Sequence, residues 1–274
     1  MQEVDRYDEL YAYLHIRGYE GSFVKKSHRA KDGCAVFWKT SKLTNTAIEY
    51  VTLHAENVHV AMMLRMKVSS RRSVIVVNTH LKAGLDQSYE DFRVEQLKCL
   101  LEKVKDFQRD SEDVILCGDL NSHVDTYDNV KPIVYSFLKH CGFKNAYGRE
   151  PGYTHWGAWT DCEVKTIFDY ILYLGKIKVL RVLQVPPEAI VGNCPDRLPN
   201  KQYPSDHISL VADLQLLHDD NSNEGDHARK NGGSVKGMKS SSSSSSSSQT
   251  PIHSPIISLS SIAHSIRYLL ERQG

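Results

Sequence analysis

Three short polar clusters lie at the ends of apolar, β-branched runs, and their residue types suit hydrolytic chemistry. They are Asn78-Thr79-His80, Asp119-Leu120-Asn121 and Asp206-His207. Buried strands that carry carboxylates, amides and imidazoles to their ends build the rim of many α/β active sites. These residue types suit metal-assisted hydrolysis of a phosphoester, so the clusters predict an active site of that kind.

Asp119 and Asn121 follow a strand-like run and lie two residues apart. Residues at that spacing on an extended chain point to the same side, so a carboxylate and an amide would face one site. One interpretation is a carboxylate that acts as a base or orients water, beside an amide that holds a phosphoryl oxygen. The alternative is a polar turn that caps the next segment.

His80 is either a structural group or a functional one, and Asp169 is a carboxylate that needs a partner. His80 ends a strand-like run, with Lys82 two residues further along, and a lone histidine there is often a structural group. Asp169 lies inside the apolar run 167–172, where an unpaired carboxylate would be costly to bury. A histidine is its natural partner, because carboxylates that orient an imidazole recur in catalysis.

Metal binding is predicted to depend on oxygen ligands. Glu3 and Asp206 are the candidate carboxylates, and Asp206 is followed directly by the imidazole of His207. Glu3 also opens a helical pattern that ends near Arg17, so its other interpretation is a first-turn acid that interacts with the helix dipole. No spacing of His and Cys residues matches a zinc site, and oxygen ligands favour Mg²⁺ or Mn²⁺.

The elements that must position these residues do not follow a βαβ repeat. Short apolar runs predict about eight strands, many of them consecutive, and helical periodicity predicts a long helix from Asp86 to Gln108. A shorter helix is predicted from Pro132 to His140. Consecutive strands argue for mixed sheets. The predicted fold is therefore α/β (α+β), a two-sheet sandwich of mixed β-sheets flanked by helices.

The totals restrict the class of protein. The 34 Lys and Arg residues nearly balance the 33 Asp and Glu residues, so no global basic field favours tight nucleic-acid binding. Six cysteines without a CxxC pair predict reduced thiols and an intracellular, cytoplasmic protein, with nuclear or mitochondrial pools left open. No signal peptide is recognisable, and no apolar run approaches the roughly 20 residues of a membrane helix. Stable membrane insertion is therefore not expected.

The composition changes near residue 217. Residues 1–217 are predicted to form the catalytic domain, and residues 218–256, with nine consecutive serines, a disordered Ser-rich linker. Apolar residues at helical spacing predict that 257–274 is a short amphipathic helix or a disordered tail. Such a helix would have no partner, or it would dock on the core, on a protein partner or on a membrane surface.

Several motifs, in order, resemble those of the endonuclease/exonuclease/phosphatase superfamily. They are Gln2-Glu3-Val4, Asn78-Thr79-His80-Leu81-Lys82-Ala83, Gly118-Asp119-Leu120-Asn121, Phe168-Asp169-Tyr170-Ile171 and Ser205-Asp206-His207. The resemblance covers about residues 2–216, and the longer strings are similar to its branch of nocturnins and deadenylases. It implies a two-sheet sandwich and Mg²⁺-dependent hydrolysis.

For the reacting centre, the resemblance implies specific roles. Asp119 would position or deprotonate the attacking water, and Asn121 would hold the phosphoryl group. His207, oriented by Asp169, would act as a base or stabilise the transition state. His80 would contact the phosphate.

For the metal and the substrate, the resemblance implies that Glu3 binds Mg²⁺ and that Asp206 is a further ligand of the metal site. Lys82 and Lys26 match basic positions that face the nucleotide. The implied reaction is removal of the 2′-phosphate from NADP(H) by metal-activated water. The alternative is a 3′-to-5′ poly(A) exoribonuclease, a deadenylase that releases AMP from RNA.

The sequence departs from the family pattern in three places, and two of the departures weaken the NADP(H) assignment. Gly84 and Trp159 stand where nocturnins carry arginines, although Trp159 could stack on a base. The family's first strand, which carries an Asn ligand, is not found before Gln2. A third alternative is therefore a non-catalytic remnant with a truncated domain.

Overall fold

A computed structural model describes residues 1–27, 29–53, 59–109, 112–127, 129–148, 151–159, 162–191, 198–217 and 254–261. Its elements, in chain order, are α1 (Tyr7–His15), β1 (Tyr19–Lys25), β2 (Gly33–Lys39), β3 (Thr44–Leu53), β4 (His59–Ser69), β5 (Arg72–His80), α2 (Gln87–Phe107), β6 (Asp113–Asp119), α3 (Val134–His140), β7 (Lys144–Asn145), β8 (His155–Trp159), β9 (Cys162–Thr166), β10 (Asp169–Leu174), β11 (Ile177–Val182), α4 (Glu188–Val191), β12 (Leu210–Leu216) and β13 (Ile256–Ser261).

A six-stranded central sheet with the order β3-β4-β5-β6-β10-β7 positions most of the polar clusters. Its neighbours are antiparallel except β5 and β6, which are parallel because α2 connects them. Strands β5 and β6 are buried along most of their length, as their uninterrupted apolar runs require. The polar ends of both strands therefore meet at the same edge of the sheet.

The two faces of the central sheet are covered differently. One face packs against α2 and α3 through side chains such as Leu97, Leu100 and Leu138. The other face packs against a second layer, which consists of a β1-β2 sheet and a β11-β12-β13 sheet. A separate β8-β9 hairpin lies beside the ends of the strands, where His155 forms a bridge to His207.

A cavity of about 470 Å³ lies in the second layer, between β2 and β13. Its lining is mostly apolar and includes Phe37, Val76, Cys117, Ile257 and Leu259. The cavity therefore lies on the face of the central sheet opposite α2.

The predicted two-sheet sandwich of mixed sheets flanked by helices is confirmed. The long helix is confirmed too, at Gln87–Phe107 instead of 86–108. The sequence predicted that Glu3 opens a helix. This prediction is wrong, because α1 begins only at Tyr7. Glu3 instead has φ of 51°, and the next residue, Val4, bridges to Gly33.

The helix predicted from residue 257 is wrong for the part that the structure describes. Ile256–Ser261 is a strand that pairs antiparallel with β12. Ile257 is buried while Ile256 and Ser258 are exposed, so the alternation has the period of a strand. Residues 254–261 thus belong to the folded domain, which was predicted to end at 217. The remainder of the predicted linker and tail, 218–253 and 262–274, lies outside the described residues.

None of the described helices is both long enough and apolar enough to cross a membrane.

Candidate active site

Three polar side chains form a row across neighbouring strands of the central sheet. In the parallel pair β5-β6, His80 is the partner of Asp119, and in the antiparallel pair β6-β10, Asp119 is the partner of Asp169. All three residues are almost completely buried. Burial of two carboxylates and an imidazole is costly unless they interact with each other or with a ligand. The row is therefore the centre of the candidate site.

Asn121 adjoins this row through a tight turn after β6. Its backbone N–H donates to Asp119 Oδ1 at 2.9 Å, and its φ is 50°, a left-handed conformation that asparagine tolerates. Its side-chain Nδ2 lies 2.8 Å from His80 Nε2 and donates to the Leu81 carbonyl at 3.1 Å. His80 Nε2 is also 3.6 Å from Asp119 Oδ2. The amide and the carboxylate do lie at one site, but the left-handed turn at Asn121, and not an extended chain, brings them together.

His207 and Asp169 form a buried pair. His207 Nδ1 donates to Asp169 Oδ2 at 2.7 Å, and His207 Nε2 lies 3.9 Å from Asp119 Oδ2. Burial by itself would lower the pKa of His207, but Asp169 and Asp119 raise it to about 10. The ring is therefore a hydrogen-bond donor at neutral pH. The histidine partner that the buried Asp169 required is thus His207.

Glu3 reaches the row through His80. Glu3 Oε1 is 3.8 Å from His80 Nδ1 and 3.6 Å from Lys26 Nζ, and Lys26 also pairs with Asp32 at 2.7 Å. The two nitrogens of His80 thus connect the Glu3 carboxylate to the Asp119 carboxylate. Lys26, predicted to face the nucleotide, lies at this side of the site.

The segment before α1 is held against β5. Gln2 Nε2 donates to Asn78 Oδ1 at 2.6 Å, and Asn78 Nδ2 donates to the carbonyls of Met1 and Ala35. Gln2 Oε1 is buried and has no hydrogen-bond partner among the described residues. The orphaned amide oxygen of Gln2 and the carboxylate of the following residue, Glu3, are both oxygen donors, the type that a hard cation such as Mg²⁺ prefers.

The long helix α2 holds the loop after β5 through two buried side chains. Gln96 Oε1 accepts the backbone N–H of Lys82 at 2.9 Å. Arg93 Nη1 donates to the carbonyls of Lys82 and Gly84, both at 2.9 Å. Lys82, a predicted substrate-binding residue, is therefore positioned by its main chain, and its Nζ lies 5.4 Å above the Tyr89 ring.

Glu90 extends this buried cluster to the loop after β6. Its Oε2 accepts two hydrogen bonds from Arg93, while its Oε1 accepts bonds from Ser122 Oγ and from the backbone N–H groups of Ile133 and Val134. Burial would raise the pKa of Glu90, but these donors hold it below its ordinary value. The Glu90-Arg93 pair thus connects the loops that follow β5 and β6. The sequence analysis missed it because both residues are ordinary in a helix.

Gly84 has a conformation that few other residues can adopt. Its φ is 145°, and a Cβ atom would lie 2.2 Å from the Tyr89 ring. An arginine at this position, which the family resemblance implies for nocturnins, could not be accommodated without movement of both the backbone and Tyr89. The departure noted in the sequence therefore has a local structural reason.

His155 is a site residue that the sequence analysis missed. Its Nε2 is 3.5 Å from Asp206 Oδ2, and its ring meets the His207 ring edge-on with centroids 4.7 Å apart. The contact joins β8 to a loop about fifty residues later, and no spacing in the sequence relates the two. Asp206 therefore lies beside two imidazoles, and its predicted role as a ligand of the Mg²⁺ site stays a prediction.

Trp159 ends β8, where Cys162 is its partner in the hairpin. Its side chain is outside what the structure describes, so its predicted contact with the substrate stays a prediction.

Comparison with known proteins identifies the family of this chain. Residues 1–207 match the Endonuclease/Exonuclease/phosphatase family. Human nocturnin is 34% identical over 240 residues, a match that covers 80% of this chain and 54% of the human protein. A more distant relative is the probable CCR4-Not complex 3'-5'-exoribonuclease subunit Ccr4 of Vairimorpha ceranae, 26% identical over 79% of this chain and 54% of that protein.

Among solved structures, the human nocturnin catalytic domain with bound sulfate anion matches with a TM-score of 0.63. The sequence identity is 27%, and the match covers 79% of each chain. This chain spans about half the length of the curated relatives named above. Sequence and fold agree that the chain belongs to the endonuclease/exonuclease/phosphatase family and is similar to nocturnin.

Proposed function

We propose that this protein is a Mg²⁺-dependent phosphohydrolase that removes the 2′-phosphate from NADP(H). The observation that carries the proposal is the buried row His80-Asp119-Asp169, with Asn121 and His207 hydrogen-bonded or ion-paired to its members. Such a row places a water-orienting carboxylate, an amide and a cationic imidazole around one point. The similarity to nocturnin supports the choice of substrate.

Glu3, supported by the orphaned Gln2 oxygen, would hold the metal, with Mn²⁺ as an alternative ion and Asp206 as a further candidate ligand. When bound, the divalent ion supplies neutralisation of charge on the phosphoryl group and a lowered pKa for water.

Each of the other site residues has a separate task. Asp119 orients the attacking water and accepts its proton, and its Oδ1 is fixed by the backbone N–H of Asn121. On substrate binding, the Asn121 amide would exchange its contact with His80 Nε2 for a phosphoryl oxygen, and His80 would contact the same phosphate. His207, cationic because of Asp169 and Asp119, donates through Nε2 to the charge that develops on the phosphate. Of the two roles implied for His207, its raised pKa favours the transition-state stabiliser over the base.

Substrate selection would depend on the surrounding basic and aromatic residues. Lys82, with its backbone fixed by α2, and Lys26, beside Glu3, would supply positive charge to the nucleotide phosphates. Trp159 would stack on a base.

A second candidate function is a 3′-to-5′ poly(A) exoribonuclease that releases AMP. The conformation of Gly84 favours it, because the position cannot carry the arginine that would grip a phosphate in two places. The relative named as a probable 3'-5'-exoribonuclease subunit supports the same alternative.

One assay separates these functions. Purified full-length protein with Mg²⁺ is given NADPH and, separately, a 5′-labelled oligo(A), each with and without EDTA. EDTA-sensitive phosphate release from NADPH supports the proposal, whereas AMP release from oligo(A) supports the alternative. A folded protein that is inactive on both contradicts both and favours a non-catalytic role.

A further inference from the structure

His155, Asp206 and His207 form a cluster of potential metal ligands whose composition differs from the rest of the site. One ligand atom of each residue lies within 4.8 Å of the ligand atoms of the other two. Two imidazoles and one carboxylate are the nitrogen-rich donor set that suits zinc and similar transition metals, whereas Mg²⁺ prefers oxygen alone. Three protein ligands would leave the fourth position of a tetrahedral ion open.

Both imidazoles are oriented as metal-binding histidines usually are. His155 Nδ1 donates to the Val164 carbonyl at 3.1 Å, and His207 Nδ1 donates to Asp169 Oδ2 at 2.7 Å. A second partner on one ring nitrogen fixes the ring and directs the other nitrogen to the metal. Nε2 is therefore the ligand atom that each ring would offer.

The distances and the exposure also suit an ion. Two ligands of a tetrahedral metal, each about 2.1 Å from it, lie about 3.4 Å apart. His155 Nε2 and Asp206 Oδ2 are 3.5 Å apart. Both histidines are buried, whereas the Asp206 side chain is 33% exposed, so an ion can enter from the Asp206 side.

We propose that His155, Asp206 and His207 bind Zn²⁺ or a chemically similar transition-metal ion, and that this ion inhibits hydrolysis. Zinc that binds at Nε2 of His207 displaces the proton of that nitrogen to solvent, so the atom that donates to the phosphoryl group in the proposed mechanism can no longer donate. The inhibitory part rests on the proposed function, but the binding part does not. His155 belongs to this site and not to the proposed Mg²⁺ site, whose candidate ligands are Glu3 and Asp206.

Cobalt is the probe for binding, because Co²⁺ replaces Zn²⁺ and its visible absorption reports a tetrahedral site. Metal-free full-length protein is titrated with CoCl₂ beside two variants, His155→Gln and His140→Gln, the latter altering an exposed histidine of α3. The expected result is one tetrahedral Co²⁺ per chain in the parent and in His140→Gln. Loss of a ligand should weaken binding by more than about 100-fold in His155→Gln, since even the loss of a group that only orients a ligand costs up to that factor.

Three results would overturn the binding proposal: no tetrahedral Co²⁺ in the parent, equal affinity in His155→Gln, or a thiolate-to-cobalt charge-transfer band that assigns the ion to cysteine. Thermal melting of the metal-free variants monitors folding. Asp206→Asn replaces His155→Gln if the latter does not fold, and the same loss of affinity is expected.

Inhibition is measured separately, as hydrolysis in excess Mg²⁺ with increasing ZnCl₂, relative to each variant's own zinc-free rate. Half-inhibition of the parent and of His140→Gln is expected at the same zinc concentration, and His155→Gln should need at least about 100-fold more. Equal sensitivity of all three proteins would refute the inhibitory role. Absence of any hydrolysis would refute the proposed function instead and would leave the cobalt titration to decide on the site.

Discussion

The two faces of the central sheet hold the candidate site in different ways. On the helical face, the Glu90-Arg93 pair and Gln96 of α2 reach the loops after β5 and β6 through buried hydrogen bonds. On the other face, Glu3 is held by a short segment that pairs with β2, and a cavity of about 470 Å³ adjoins that strand.

The two faces therefore hold different residues of the candidate site. The helical face fixes the residues proposed to act on the phosphate and the water, such as Asn121 and Lys82, in a packed environment that resists rearrangement. The second layer holds the segment that carries the carboxylate proposed to bind the metal, and Met1 of that segment lines the cavity. Substitutions on the two faces should therefore have unequal effects.

The largest expected effect is on turnover. Asp119→Asn keeps the size of the side chain but removes the negative charge that orients water, so Mg²⁺-dependent hydrolysis should fall by about 10³-fold. Phosphate or AMP release measures the change, and circular dichroism monitors folding. Asp125→Asn, which alters an exposed carboxylate a few residues later, should retain the parental rate. A fully active Asp119→Asn would exclude the site as described.

On the helical face, Arg93→Met should lower the free energy of unfolding by about 3–5 kcal/mol, because Glu90 would remain buried without its cation. Urea denaturation measures the loss. The matched control is Arg181→Met, which removes a partner of Asp213 at the surface and should cost less than about 1 kcal/mol. Equal losses in the two variants would show that the buried pair does not stabilise this face.

Gly84→Arg tests whether the family's arginine can be restored in the loop that Arg93 holds. We expect a loss of stability of about 1–3 kcal/mol, because φ of 145° is strained for any residue with a Cβ. Hydrolysis of NADPH should fall too, since Lys82 moves with the loop. The double variant with Tyr89→Ala removes the steric contact but not the strain, and should recover only part of the stability. Increased NADPH hydrolysis in Gly84→Arg would contradict this account.

The smallest expected effects compare the faces directly at two neighbouring residues of β5. Val76→Ile adds a methyl group next to the cavity and should raise the free energy of unfolding by up to about 0.8 kcal/mol. Val77→Ile adds the same group to the packed helical face and should lower it by about 1–3 kcal/mol. Chemical denaturation of the pair measures the difference. A change of the same sign in the free energy of unfolding of both variants would mean that the two faces are packed alike.

Much of the fold could be predicted because it depends on local patterns. The apolar stripe of α2 has the period of a helix, and β5 and β6 are β-branched apolar runs. Both patterns lie in neighbouring residues, so the sequence alone displays them. The helix predicted from residue 257 was wrong because Leu259 fits two periods, the alternation with Ile257 and the helical spacing with Ile262 and Ile266. Pairing with β12 selected the strand, since tertiary contacts override a weak local preference.

The same distinction between local patterns and tertiary contacts holds for the candidate site. Sequence by itself determined that Asp119 and Asn121 follow a buried strand, and that a buried Asp169 needs a partner such as a histidine. Only the tertiary structure decided that this partner is His207, that Arg93 holds the loop of Lys82, and that His155 lies beside Asp206. The physical reason is that these contacts join segments far apart in the chain, and strand register and packing, rather than local periodicity, bring such segments together.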